Sequence, residues 1–172
     1  MDRKERNEKI EQYRQGYGLL GAALTEVPME AWDFKPSPAD WSIREIVIHM
    51  SDSESMAALR ARKLIVEPGS MLMGYEEAKW ADALQYRKQN IDDALQIIRL
   101  VRTTTYDLLK SLPDEVFTHS VTHPEYSEPY TFEKWLTIYS NHIPDHIEQI
   151  KKNLQLWKKQ NEKIVIKKNK KS

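Results

Sequence analysis

The sequence predicts an all-α protein, a four-helix bundle, on three observations. Apolar residues recur at i, i+3 and i+4 in four long stretches. Proline, glycine and polar clusters separate those stretches. No segment of useful length alternates apolar and polar residues as a half-buried strand would. Four amphipathic helices joined by substantial connections bury their apolar stripes best against one another. A chain of 172 residues is long enough for one domain with its own core.

Taken in order, residues 3–26 form the first helix, with Ile10, Tyr13, Tyr17, Leu20 and Leu24 at helical spacing. Gly16, Gly18 and Gly21 lower its intrinsic helicity, but small residues also allow a neighbouring helix to come close. Pro28 ends it, and Met29–Pro38 reads as a short helical turn followed by an extended link. The second helix begins at Trp41-Ser42, where Ser42 and Glu45 have the spacing of a capping box. Its apolar side is Ile43, Ile46, Val47, Met50, Ala57 and Leu64, and Pro68-Gly69 closes it. Residues 69–80 are apolar for a connection (Met71, Met73, Tyr75, Trp80), which suits a lid. A third helix is expected over residues 82–111, burying Leu84, Ile91, Leu95, Ile98, Val101, Thr105 and Leu108. Residues 113–130 read as a loop rich in rings. Thr131 caps the fourth helix, which runs to about Trp157 with a stripe of Phe132, Trp135, Tyr139, Ile143, Ile147, Ile150 and Leu154. The bundle is therefore expected over residues 1–157, with a basic, flexible tail over 158–172.

Apolar residues are 40% and charged residues 30%, the balance of a soluble domain, and no run is long enough to span a membrane. The charged start of the chain lacks the apolar core of a signal peptide. There is no cysteine, hence neither a disulfide framework nor a thiolate ligand. The expected compartment is therefore the cytoplasm. The net charge is zero but unevenly spread: residues 1–150 hold 17 Lys/Arg against 25 Asp/Glu, and residues 151–172 hold nine lysines and one glutamate. An acidic body argues against a nucleic-acid face. The lysine tail, which lacks arginine, reads as a solvated end rather than a nucleic-acid or membrane anchor.

The chemistry lies in the histidines. His142 and His146 are four apart on the last helix, so they share one face, and they lie on or beside its apolar stripe. A buried imidazole needs a partner for each ring nitrogen, and two stacked rings pointing inward can share a divalent metal ion. His49 borders the apolar side of the second helix and is the candidate third ligand. Three neutral imidazoles suit Zn²⁺ or Ni²⁺ and leave a position open for water or substrate. Alone, His49 is an ordinary helix-flank histidine, and a His-x-x-x-His spacing is common by chance. Pro144 stands between the paired histidines and removes one helical hydrogen bond. Asp52 and Ser53, one turn beyond His49, could take the outward N–H of a ligand, and Gln149 could do so for His146. His119 and His123 sit in the loop. Asp52 and His123 are the candidate catalytic acid–base groups.

The segment Lys35–Glu54 resembles the opening motif of the DinB/YfiT-like superfamily: a proline-containing link, Trp41-Ser42, a capped helix, then His49-x-x-Asp52-x-Glu54. His142 to Ile150 resembles its closing motif, His-x-x-x-His followed by Gln-Ile. The resemblance covers roughly residues 5–157. It implies a four-helix bundle, commonly a homodimer, that binds nickel or zinc through His49, His142 and His146. Members include bacillithiol- and mycothiol-dependent S-transferases and proteins labelled metal-dependent hydrolases. The expected function is a metal-dependent S-transferase or hydrolase acting on a small-molecule electrophile. A low-molecular-weight thiol would be its cosubstrate in the first case. The alternative is a non-catalytic, metal-stabilised helical module for dimerisation or ligand binding.

Overall fold

The computed structural model describes residues 1–169. Five helices follow in order: α1 Arg3–Leu24, α2 Ile43–Val66, α3 Glu77–Ala83, α4 Ile91–Lys110 and α5 Phe132–Asn169. α1, α2, α4 and α5 make the bundle. α1 packs on α5 and α4, and α2 packs on α4 and α5. The expected four-helix bundle is thus the architecture found. No helix among the described residues is long and apolar enough to cross a membrane.

The start of α2 is set as its sequence implies. Ser42 accepts from the Glu45 backbone N–H, and the Glu45 carboxylate accepts from the Ser42 N–H at 2.8 Å. This closed capping box fixes the first turn of the helix that carries His49. The whole expected stripe of α5, from Phe132 through Tyr139 and Ile147 to Leu154, is buried. Trp135, fully buried, donates its indole N–H to the Ala57 carbonyl on α2 at 2.9 Å.

Three expectations change. The single helix over 82–111 is broken into α3, a 3₁₀ turn at Tyr86–Lys88, and α4. Gln85 adopts a left-handed backbone, φ 52°, and Asn90 accepts from the N–H groups of Asp92 and Asp93 to start α4 afresh. The buried line of α4 is Ala94, Ile98, Arg102, Thr105 and Leu109, rotated from the expected one, and Leu84 is exposed. The rotation was hidden because an arginine reads as surface by type. The loop over 113–130 contains a 3₁₀ turn, Asp114–Thr118, and a two-residue antiparallel ladder, β1 Ser120–Val121 with β2 Tyr130–Thr131. α5 continues past the expected end near Trp157 to Asn169, and the last residues of the lysine tail, 170–172, lie outside the described residues.

Arg102 is 2% exposed and sits at the crossing of all four bundle helices. Its Nη1 donates to Glu54 Oε1 of α2 at 2.5 Å. Its Nε and Nη2 donate to the Tyr13 carbonyl of α1 at 3.0 and 2.6 Å, and Nη2 also reaches the Tyr139 carbonyl of α5 at 3.2 Å. The guanidinium lies 3.9 Å from the centre of the Tyr13 ring. Gly16 makes room for it: a Cβ there would lie 2.9 Å from Arg102 Nη2, whereas Gly18 and Gly21 face open space. Removing one partner of a buried pair strands the other's charge, which typically costs about 3–5 kcal/mol. Arg102→Met is therefore expected to lower unfolding stability by about that much in urea titrations. The double variant Arg102→Met/Glu54→Gln, which leaves no buried charge, is expected to lose less than the single one.

Candidate metal centre

α2 and α5 carry the three histidines to one point. The His142 and His146 rings have centroids 4.7 Å apart, and His49 lies 5.9 Å from the first and 4.9 Å from the second. One ring nitrogen from each lies within 4.8 Å of the others. α5 runs unbroken through Pro144, which helps line a groove with Leu19 and Ala22 of α1. The proline therefore faces α1, and the helix keeps the one-turn stacking of His142 over His146.

Hydrogen bonds assign the ring protons. Burial opposes ionisation of Glu54, but Arg102 and His142 outweigh it and hold its carboxyl below the usual range. Ionised Glu54 can only accept, so at 2.8 Å His142 Nδ1 carries the proton and Nε2 keeps its lone pair. His146 Nδ1 donates in the same way to Gln149 Oε1 at 2.9 Å. His49 packs against Trp41, centroid distance 4.7 Å, and its Nδ1 is buried with no hydrogen-bond partner in the protein. Burial, reinforced by the other two imidazoles, pushes His49 down to about 3. Burial and His142 push His146 down to about 4. Both rings are therefore neutral at neutral pH. Neutral imidazoles, oriented by outer partners and meeting with one nitrogen orphaned, are the donor set of a divalent transition-metal ion. The residues fit such an ion.

The same three rings line a cavity of about 210 Å³. His123, 2% exposed although it sits in a loop, lines it too. Its Nδ1 accepts the Glu125 N–H at 3.2 Å, and its ring packs on Tyr126 and Tyr130. Burial, with Arg60 nearby, lowers its pKa, so the ring is neutral and Nε2 bears the proton. In that state His123 is a donor rather than a free base. Asp52 is placed elsewhere: its carboxylate accepts the Tyr86 hydroxyl at 2.6 Å and does not line the cavity. His119 Nδ1 lies 2.9 Å from the Leu64 carbonyl and anchors its loop to the end of α2.

The connection over 69–80 covers one side, as a lid would. Tyr75 and Glu77 line the cavity, and Tyr75 packs on Trp80 at 4.6 Å, while Met71 and Met73 are exposed. Backbone bonds of 2.8 Å between this connection and Thr122 hold it to the ring-rich loop. Gly74 permits the contact, since a Cβ there would lie 2.8 Å from Pro124 Cγ. Sequence reading passed over Arg60, Glu77 and Arg102 and gave Glu54 no role. Arg60 was legible in principle: eleven residues after His49 is close to three full turns, hence the same face. Arg60 donates to the Tyr139 hydroxyl and to the Met73 carbonyl, both at 3.1 Å.

A family model described as the DinB superfamily matches residues 12–150. A Bacillus licheniformis protein named "Putative metal-dependent hydrolase" is 25% identical over 150 residues, 87% of this chain and 85% of its own. An Oceanobacillus iheyensis protein given the same description is 26% identical over 144 residues, 84% of this chain and 83% of its own. "Putative metal-dependent hydrolase YfiT" of Bacillus subtilis is 26% identical over 110 residues, 64% of this chain and 62% of its own. The solved structure of Bacillus subtilis YfiT, described as having "an unusual four-helix bundle topology", matches with a TM-score of 0.83 at 21% identity. The match covers 89% of this chain and 87% of that one, and at that identity it speaks for the fold.

The depressed histidines make the metal-free protein sensitive to acid. A ring whose folded pKa lies below its unfolded value of about 6.5 contributes stability above that pH and loses it as pH falls toward the folded value. Between about pH 6.5 and 4, His49 and His146 should each weaken the fold by up to about 1.4 kcal/mol per pH unit. Urea midpoints of metal-free protein at pH 7, 6, 5 and 4 would check this. His146→Gln should flatten the slope.

Proposed function

Since this chain belongs to the DinB superfamily, we propose that it is a metal-dependent enzyme, a hydrolase, with His49, His142 and His146 as ligands to one Zn²⁺ or Ni²⁺ ion. The supporting observation is the meeting of three imidazole nitrogens, two of them on rings held neutral, at the wall of a cavity sized for a small substrate. Relatives over most of the chain carry the description of metal-dependent hydrolases. With three protein ligands, a bound divalent ion would supply Lewis acidity at an open position, making a water molecule or a thiol there nucleophilic near neutral pH.

The chain's own residues divide the remaining work. Glu54 and Gln149 hold the outward N–H groups of His142 and His146 and so keep their lone pairs aimed inward. Glu77 and Glu125 are the carboxylates lining the cavity. Partial burial of its carboxyl in the cavity wall, with Glu125 adding to it, raises the pKa of Glu77, although His142 and Arg60 pull the other way. A carboxylate tuned upward is a better general base at neutral pH, and Glu77 takes that role here. It accepts the proton of the attacking water as the new bond to the electrophilic carbon forms, and returns that proton to the leaving group as the bond between that group and the carbon breaks. The chain has no cysteine, so in a thiol transfer the thiol would arrive as cosubstrate and give its proton to the same carboxylate.

Protein purified without an affinity tag is expected to hold one divalent ion per chain, lost in His146→Ala, and chelation should lower the melting temperature. Hydrolysis of a panel of small esters, run beside thiol conjugation of a generic electrophile, separates the two nucleophiles. Glu77→Gln should cut kcat by about 10²–10⁴-fold, the usual size of a general-base contribution, at unchanged metal content. The acid limb of the rate should lie above the ordinary carboxylate range near 4.3, because a base works only above its pKa. Stoichiometric metal with no turnover in either assay would leave the non-catalytic module as the reading.

A further inference from the structure

The cavity beside the histidines has a second cluster of groups with work left undone. Among the described residues, seven buried side-chain polar atoms find no hydrogen-bond partner within the protein, and four of them belong to residues lining this one cavity. One is His49 Nδ1. The other three are Arg60 Nε, the Tyr75 hydroxyl and His123 Nε2. Leaving a buried polar atom unpaired is unfavourable, so their gathering around one cavity points to a ligand that pairs with them.

All three are hydrogen-bond donors. Arg60 has no acceptor role in any state. Its two Nη atoms are committed to Tyr139 and Met73, which fixes the guanidinium and leaves Nε–H free. No ion pair links Arg60 to a carboxylate among the described residues. His123 accepts the Glu125 N–H at Nδ1, so its neutral ring carries the proton on Nε2. Burial keeps the Tyr75 phenol protonated. A fixed cation and two neutral donors want an oxygen-rich anion.

Charge sets which anion. Glu77 and Glu125 are the carboxylates of the same lining. With a divalent ion on three neutral imidazoles and with Arg60, those two carboxylates leave one positive charge uncompensated. That matches a single carboxylate and disfavours a phosphate dianion. We propose that this cavity takes the carboxylate of a small organic substrate, with Arg60 as its cationic partner and the Nε2–H of His123 and the O–H of Tyr75 as neutral donors. The proposal rests on reading the cavity as the substrate site. It makes Arg60, His123 and Tyr75 the groups that orient the substrate, with its electrophilic carbon toward the three histidines.

The test uses acetate as the probe, with acetamide as its uncharged isostere and inorganic phosphate as the dianion. Each is titrated into the full chain, zinc-loaded and metal-free, and followed by NMR shifts of the histidine rings. Acetate is expected to saturate both forms, more weakly without the ion because Glu77 and Glu125 then outweigh Arg60, and in the zinc-loaded form to bind about tenfold more tightly than acetamide, the worth of a hydrogen bond to a charged group. Arg60→Met should weaken acetate by about tenfold or more with the zinc content unchanged. Tyr75→Phe deletes only an unpaired hydroxyl, so it should fold normally and weaken acetate several-fold. If His146→Ala abolishes zinc while Arg60-dependent acetate binding persists, the subsite stands even where the metal reading fails. Acetate binding that needs zinc and ignores both Arg60→Met and Tyr75→Phe would put the carboxylate on the ion and overturn the proposal. So would tighter binding of phosphate than of acetate, or no saturable acetate binding in either form.

Discussion

Arg102 and Glu54 form an ion pair with almost no contact with water, 2% and 0% exposed at their side chains. Two charges taken out of water are costly unless each finds several good partners. Here the cation is satisfied by a carboxylate on α2, carbonyls on α1 and α5, and the face of a tyrosine. Those partners come from three helices, so the pair is content only when all four bundle helices are in register. A shift of one turn in any of them would strand a charge in the core. An apolar contact tolerates such slippage better, because it has no direction.

The same carboxylate oxygen that takes Arg102 also takes the Nδ1–H of His142. The core pair therefore reaches the metal centre through one atom. Arg102 keeps Glu54 ionised, ionised Glu54 fixes the tautomer of His142, and that tautomer frees Nε2 toward His49 and His146. His146 is oriented more locally, by Gln149 on its own helix. His49 has no such outer partner and is held by burial against Trp41. Burial of imidazoles without a counter-charge lowers their pKa and keeps them unprotonated. What weakens the fold in acid is what leaves the nitrogens free for a cation.

The helices place the histidines, but the connections finish the cavity. Tyr75 comes from the segment before α3, Glu77 from the first residue of α3, and His123 and Glu125 from the ring-rich loop before α5. The two connections are bonded to each other through Ser70, Leu72 and Thr122. This is the usual division in which a rigid scaffold carries the fixed ligands and loops carry the groups that meet substrate.

The sequence by itself determined the all-α class, the capped start of α2, the stripe of α5 and the shared face of His142 and His146. Each depends on spacing within one helix, and spacing survives in a linear string. The packing role of a small residue in the first helix was also legible, though not which glycine would serve. Tertiary structure alone decided that Asp52 turns to Tyr86, that loop-borne His123 is buried beside the metal centre, and that Arg102 belongs to the core. It also decided that a left-handed Gln85 and the Asn90 cap divide the third helix. For Asp52 and Arg102 the deciding partners lie 34 to 89 residues away in the chain. A polar side chain shows in sequence what it can bond, while only the folded neighbours supply the bond.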